Sequence, residues 1–480
     1  VAIDLDTPQG MWFDRLSRAL HERRTGRVNG RRWNRGLAST ARIRPPLTVL
    51  DDYRQGDPPL RPDIHNSWKP YVRQFVRMGR LNVADLVVSA TANRMQLRDF
   101  RTASAGDEMG DSAARDIMRA NGMKLVARDV IETCLGLGDS YTIVTPPSAG
   151  RSHALITAED PREVITAQDP ATGEYLAALK MFRSEWDDED VAYLYLPGDV
   201  YRLTHPGSSI LHEGVFRLDA KAWNIAGDPT PVDGGIIPVT RFRNRDGVGE
   251  FERHLDTLDR INDKIFDEWW TAKIQAFRQR AVKNLPDTDE ETGEDIDYSD
   301  MFTASPDEMW RVPADVDFWE STPVDLTPIT SAIQKDLERL ASTTSTPLHI
   351  ITPDAANGSA EGAQLMREEH VYKVENRIDH VDPSFARTMS LAFLFQGDTA
   401  RADVTQIQAV WGPVERYSLQ QKADAATKAK GTLPVEDIQR NIWQREPAEI
   451  PELRKMRGRD VLWETPKTPT MPNFQAPPNP

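Results

Sequence analysis

Apolar residues recur at Phe251, Leu255, Leu258, Ile261, Ile265, Trp269, Ala272 and Ala276, in steps of three and four that trace one face of a helix. Acidic and basic side chains fill the opposite face, and Phe251–Leu285 holds neither Gly nor Pro. The spacing predicts a helix over 251–285, about 50 Å long. Two more helical stretches follow. Asp325–Ser342 carries Leu326, Ile329, Ile333, Leu337 and Leu340 as its stripe, and Ser359–Phe395 carries Leu365, Met366, Val371, Val374 and Ile378. Pro383 inside the third predicts a kink or a break. Thr343–Gly358, with Pro347, Pro353, Asn357 and Gly358, reads as a mobile loop between helices.

The half before residue 250 has a different rhythm. Asn82–Gln96 reads as a buried helix, Asp111–Asn121 as a helix with an Asp cap and a Gly122 stop, and Lys124–Leu135 as an amphipathic helix closed by Gly136 and Gly138. Ser140–Val144 then begins a series of short β-like runs: His153–Thr157, Glu163–Ala167, Tyr175–Phe182, Val191–Leu196, Val200–Thr204, Val215–Leu218 and Ile236–Phe242. Asp169–Gly173 reads as a hairpin turn. Helices beside an antiparallel sheet place the chain in the α+β class. After Gly397, Tyr417–Lys430, Val435–Gln444 and Pro447–Gly458 read as short helices, and the proline-rich tail from Thr465 reads as disordered.

Composition narrows the function. At 480 residues the chain can build more than one domain. A single cysteine, Cys134, excludes an internal disulfide and a thiolate zinc cluster. No apolar run approaches a membrane span, and no leader peptide is visible, which points to synthesis in a reducing cytosol. A net charge of −15 argues against tight wrapping of nucleic acid, though not against its passage. Residues 10–45 run the other way, with Arg15, Arg18, Arg23, Arg24, Arg27, Arg31, Arg32, Arg35, Arg42 and Arg44. That stretch reads either as a basic arm touching a partner, a neighbouring subunit before DNA, or as a solvated extension.

Candidate chemistry is sparse. No Gly-rich loop opens a helix after a strand, so no dinucleotide or P-loop site is predicted, and no cofactor. No H-x-x-x-H pair and no strained Ser elbow are present, so the chain does not read as an enzyme. The acidic insert from Asp287 to Asp300 departs from an EF-hand loop, because Thr292 stands at the sixth position where glycine is needed. It reads as a solvated loop. Trp310, Phe318 and Trp319 beyond it read either as partner-interface anchors or as the core of a small module.

Five segments resemble the portal proteins of tailed bacteriophages, in the siphophage group similar to the SPP1 portal. They are LDDYRQGDPPLRP at Leu50–Pro62, the helix Asn82–Phe100 ending in NRMQLRDF, and DVIETCLGLGDSYTIV at Asp129–Val144, where Leu137 stands in place of a common aromatic. The others are STPLHIITPDAANGSAEGAQLM at Ser345–Met366 and ADAATKAKGTLPVEDI at Ala423–Ile438. The resemblance implies a portal-type subunit with an α/β wing, a long-helix stem, a small α/β clip and a helical crown. By order the parts fall as an N-terminal arm at 1–50, wing at 51–250, stem helix at 251–285, clip at 286–324, stem return helix at 325–342, tunnel loop at 343–358, long kinked helix at 359–396, crown at 397–464 and disordered tail at 465–480.

The resemblance further implies a ring of about twelve copies at one vertex of a virion capsid, assembled in the host bacterial cytoplasm. Double-stranded DNA would pass through its channel. The terminase large subunit and a head–tail connector would dock on the clip, and major capsid and scaffolding proteins would surround the ring. The tunnel loop, which also holds Asp354 and Asn357, would meet DNA sterically through residues such as Leu348, His349 and Ile350. Lys335 and Arg339 are the nearest basic candidates, and their competing reading is pairing with Asp336 or Glu338. The other function classes are a helical scaffold or minor capsid protein without a DNA channel, and a nuclease, which would need a compact acidic metal site.

Overall fold

The computed structural model describes residues 2–28, 31–32, 44–59, 74, 76–102, 110–206, 219–276, 280–284, 288, 293, 317–320, 322–351, 360–415, 417–445 and 449–463. They divide into two compact units. One comprises Val1–Pro59, Asn82–Arg253 and Ala341–Pro480, and the other Leu60–Leu81 and His254–Leu340.

The larger unit begins with α1 (Pro8–Thr25). Thr7 caps it by accepting from the Gly10 N–H, Pro8 occupies the first turn, and Gly26 closes it in the left-handed region at φ 64°. This helix corrects the reading of residues 10–25 as arm or extension. Phe13, Leu16 and Leu20, at helical spacing, are buried with Ala177, Leu179, Met181, Leu194, Leu203 and Trp223. The arginines lie off that apolar line, so composition masked an amphipathic helix. A two-strand ribbon follows, β1 (Arg27–Val28) with β2 (Arg31–Arg32). Next is α2 (Leu47–Arg54).

The sheet that α1 covers is antiparallel, in the order β10 (Asn224–Ile225), β9 (Asp199–Pro206), β8 (Glu189–Leu196), β7 (Tyr175–Ser184), β6 (Val164–Gln168), with β11 (Thr230–Pro231) also on β9. A second sheet runs β12 (Val239–Arg243), β4 (Asp139–Thr145), β5 (Leu155–Glu159). β4 is buried at six successive positions, as a central strand covered on both faces requires. α5 (Met123–Leu137) packs on this sheet, and α3 (Val83–Ala92) and α4 (Ser112–Ala120) pack on α5. Gly138 ends α5 at φ 89°, and a Cβ there would lie 2.4 Å from the Gly247 carbonyl oxygen, so glycine is required both by backbone and by space. Of the strand readings, Val215–Leu218 lies outside the described residues; β3 (Leu97–Arg101) with β15 (Gln408–Trp411) was not anticipated.

The smaller unit holds α6 (Leu255–Ala276), the ribbon β13 (Arg280–Lys283) with β14 (Asp317–Glu320), and most of α7 (Thr327–Thr343). The predicted 251–285 helix is therefore too long. Its start is a short 3-10 turn at Glu252–His254, and its last residues form a strand whose Ala281 and Val282 pair with Trp319 and Phe318. Absence of Gly and Pro permits a helix but does not compel one when a partner strand satisfies the same backbone groups. The stripe also shifts by one residue: Phe266 is buried and Ile265 only half-buried.

Returning to the larger unit, α8 (Leu348–Ile351) precedes α9 (Ala360–Phe395). The helix runs through Pro383 without a break. Flanking contacts hold it there. Phe385 lies against Phe242 (4.6 Å between ring centroids) and Trp411 (5.5 Å), Ser384 Oγ donates to the Arg241 carbonyl (2.7 Å), and Trp411 Nε1 donates to Asp382 (2.7 Å). The last part of the chain gives α10 (Leu419–Ala429), a helical turn α11 (Val435–Asp437) running into a wider turn at Ile438–Ile442, and α12 (Ile450–Trp463). The tail from Thr465 lies outside the described residues.

Candidate functional site

The segment after α7 opens with Ser345 in the left-handed region at φ 48°, which turns the chain sharply. Thr346 N–H closes the turn on the Ala341 carbonyl (2.9 Å), and Thr344 Oγ1 donates to Thr346 Oγ1 (2.9 Å). Thr344, Thr346 and Pro347 are buried. The reading of 343–358 as mobile throughout is thus corrected for its first part, which is packed and ends in the helical turn α8.

α9 supplies the clamp. Glu369 accepts from Ser345 Oγ (2.7 Å), and His370 sets Nδ1 2.9 Å from the Ser345 carbonyl and Nε2 3.2 Å from the Ala90 carbonyl. Lys373 Nζ donates to the Thr344 carbonyl (2.7 Å). These residues fall at helical spacing on one face of α9. Below them, Glu250 accepts from Lys373 (3.0 Å), Arg377 (2.6 Å) and Asn244 (3.0 Å). Burial alone raises the Glu250 pKa, but Lys373, Arg377 and Asn244 together reverse that and hold it down at about 2. The Lys373 pKa is lowered by burial, which its one shared carboxylate does not fully offset.

His370 is fully buried between two carbonyl oxygens, yet a neutral imidazole donates to only one of them. Burial pushes its pKa down, against the pull of the Ser345 carbonyl, and Arg94 and Lys373 add to the downward push. A base whose pKa is lowered in the folded state costs no stability above its ordinary value of 6.5 and costs progressively more as pH falls below it. The protein is therefore expected to melt lower at pH 5 than at pH 7.5, and His370→Gln to lose part of that difference. Thermal melts of both proteins at the two pH values check this; an equal drop in both would assign the sensitivity elsewhere.

In the smaller unit α6 and α7 meet through one carboxylate. Asp336 is buried and accepts from Arg260 (2.8 and 3.1 Å), Lys264 (2.7 Å) and Arg339 (3.0 Å). Hydrogen bonding from Arg260 is the main cause holding its pKa well below the carboxylate range, against the opposing effect of burial.

The predicted site residues separate accordingly. Leu348 and Ile350 are half-buried on α8 and His349 is exposed there, while Asp354 and Asn357 lie outside the described residues. Arg339 is paired with Asp336, the competing reading given for it, and Lys335 is exposed on α7. Trp310 lies outside the described residues; Phe318 and Trp319 are placed by backbone pairing alone, on β14. His370, Lys373 and Glu250 were not anticipated. His370 and Lys373, two polar residues on a charged helix, carry no signal when their partners, Ala90, Thr344 and Glu250, are distant in the chain. Among the described residues no three His, Cys, Asp or Glu side chains gather as metal ligands would, and no helix is long and apolar enough to cross a membrane.

The chain matches the family model described as phage portal protein, SPP1 Gp6-like, over residues 38–461. It is similar to the portal protein of Mycobacterium phage D29, 23% identical over 383 residues that cover 74% of each chain. It is similar to the portal protein of Mycobacterium phage L5, 23% identical over 377 residues, 72% of this chain and 71% of the relative. Among solved structures it is similar to a chain in the neck of a native gene transfer agent particle computed with C12 symmetry, at TM-score 0.45 and 12% identity, covering 84% of this chain and 96% of that one.

Proposed function

We propose a channel-forming role for this chain, which belongs to the SPP1 Gp6-like family of phage portal proteins. A closed ring of about twelve copies sits at one capsid vertex, and double-stranded DNA enters and leaves through its axial channel. The match over residues 38–461 carries this reading, because it takes in both compact units and not one motif alone. The ring assembles in the host bacterial cytoplasm among major capsid and scaffolding proteins. α6 and α7 serve as the stem, and residues 286–324 as the clip that meets the terminase large subunit and later the head–tail connector. Trp310, Phe318 and Trp319 are the proposed anchors there. Translocation consumes ATP and the sequence has no phosphate-binding loop, so the motor is a separate protein.

A net charge of −15 per copy suits transit, since a wall of that sign does not hold phosphates firmly. The tunnel loop touches DNA sterically, through Leu348, His349 and Ile350 on its described part and Asp354 and Asn357 beyond. Lys335, exposed on α7, remains a proposed basic contact; Arg339 reaches DNA only by leaving Asp336.

Negative-stain microscopy and sedimentation test the ring: particles with a central hole support it, and monomers alone across protein and salt concentration overturn it. Deletion of Asp354–Asn357 tests the loop. Rings are expected to form normally and to package or retain much less DNA. Normal packaging would remove the loop from the mechanism.

A further inference from the structure

We propose that the outer face of α12 holds the phosphate backbone of double-stranded DNA. The helix is almost unpacked. Among its described side chains Ile450 alone is buried and Leu453 half-buried, while 451–452 and 454–459 are exposed. Its 14 residues make only a marginal helix in water, so a partner surface is the natural source of further stability.

The face defines the partner's chemistry. Lys455 and Arg459 stand one turn apart on one line of the helix, and Arg454 and Arg457 on the next. Gly458 lies between the two lines, with nothing within 4 Å of where a Cβ would stand. A glycine inside a helix costs about 1 kcal/mol against alanine, and here it lets a phosphate approach between long side chains. Arg454 is engaged by Glu436 of α11. Lys455, Arg457 and Arg459 are exposed and pair with no acid among the described residues. Glu452 is the only acid in the run 450–459, and the apolar Leu453 and Met456 fall on the opposite side of the helix.

Such a face suits DNA and not protein. It offers a protein partner no aromatic or aliphatic anchor, and lysine is depleted in protein interfaces. Phosphates need no such anchor, because Lys and Arg neutralise them and release their counterions. The setting adds to this. Leu419–Arg459 carries nine bases against six acids, in a chain of net charge −15. A duplex repelled by the chain as a whole is therefore admitted here. Three contacts per copy make a hold that is independent of base sequence and weakened by salt, which is compatible with passage. The proposal rests on the portal reading above, which brings DNA to the ring.

A short fluorescent duplex is titrated with rings of the unsubstituted protein and of Lys455→Gln/Arg457→Gln/Arg459→Gln, across a range of salt, and binding is followed by anisotropy. The variant is expected to bind about tenfold more weakly. Its slope of log K against log salt should be shallower by about 3 for each copy that touches the duplex. Lys455→Arg/Arg457→Lys/Arg459→Lys keeps the charge and is expected to bind as the unsubstituted protein does, which separates lost charge from a disturbed helix. Equal affinity and slope in the Gln variant overturn the proposal, and so does the same loss in the charge-preserving variant. Gln-variant subunits that no longer form rings assign α12 to a second copy. Gln-variant rings that bind DNA normally but fail to enter capsids assign it to another virion protein. Either result overturns the proposal. If the unsubstituted protein forms no rings, the ring reading falls, and the same titration on subunits still decides whether α12 binds DNA.

Discussion

Asp336→Asn is expected to destabilise the smaller unit by about 2 kcal/mol. The carboxylate is out of contact with solvent and is the shared acceptor of Arg260 and Lys264 from α6 and Arg339 from α7. Its loss leaves three cations crowded around a neutral amide. The figure stays below that for a wholly buried pair because Arg260 and Arg339 are 49% and 69% exposed and rehydrate. The pH dependence has a definite sign. An acid held below its ordinary value stabilises the fold above that value, 3.8, and the contribution disappears as pH falls toward the lowered one. Wild type should therefore lose stability below about pH 4 more steeply than Asp336→Asn. Urea midpoints followed by tryptophan fluorescence, with Trp269 and Trp270 on α6 as reporters, measure both effects. Parallel acid slopes would remove Asp336 as their source.

Where sequence reading succeeded, the signal was local. The β-like runs Tyr175–Phe182 and Val191–Leu196 became β7 and β8, and the Asp111 cap and Gly138 stop stand at helix ends as expected. α1 was hidden although every local signal was present: a Thr7 cap, Pro8 in the first turn, buried positions at Phe13, Leu16 and Leu20, and Gly26. Its arginines lower the mean hydropathy and mask the apolar period of Phe13, Leu16 and Leu20. The end of α6 fails for another reason. Nothing within 251–285 encodes where the helix stops, because β13 owes its conformation to β14, some 35 residues later. The site was less legible still. Thr343–Gly358 looks mobile from its own composition; its first part is fixed by Glu369, His370 and Lys373, whose spacing is visible but whose targets are not. The Asp336 pairing of Arg339 was legible because it is a three-residue helical step.

Glu250→Gln is expected to have the largest effect, about 3–5 kcal/mol of lost stability. The side chains of Glu250, Lys373 and Arg377 are 4%, 7% and 12% exposed, so the substitution strands two cations away from water. Lys373→Met in the same chain should recover part of the loss, since one stranded charge is then gone; a double variant no better than the simple sum would show that the two residues act independently. Acid again separates the causes. Glu250 contributes fully above its ordinary value of 4.5 and loses its contribution as pH falls through about 2, a slope that the Gln variant lacks. The functional consequence follows from one bond. Lys373 also donates to the Thr344 carbonyl, so Lys373→Met keeps the Glu250–Arg377 pair while freeing the base of the loop. Amide hydrogen exchange should quicken over residues 344–351 with little change in β4. If the loop retains DNA in the channel, such rings should assemble normally and leak packaged DNA. Faster exchange with normal retention would leave Lys373 a structural clamp, and unchanged exchange would show that His370 and Glu369 hold the turn without it.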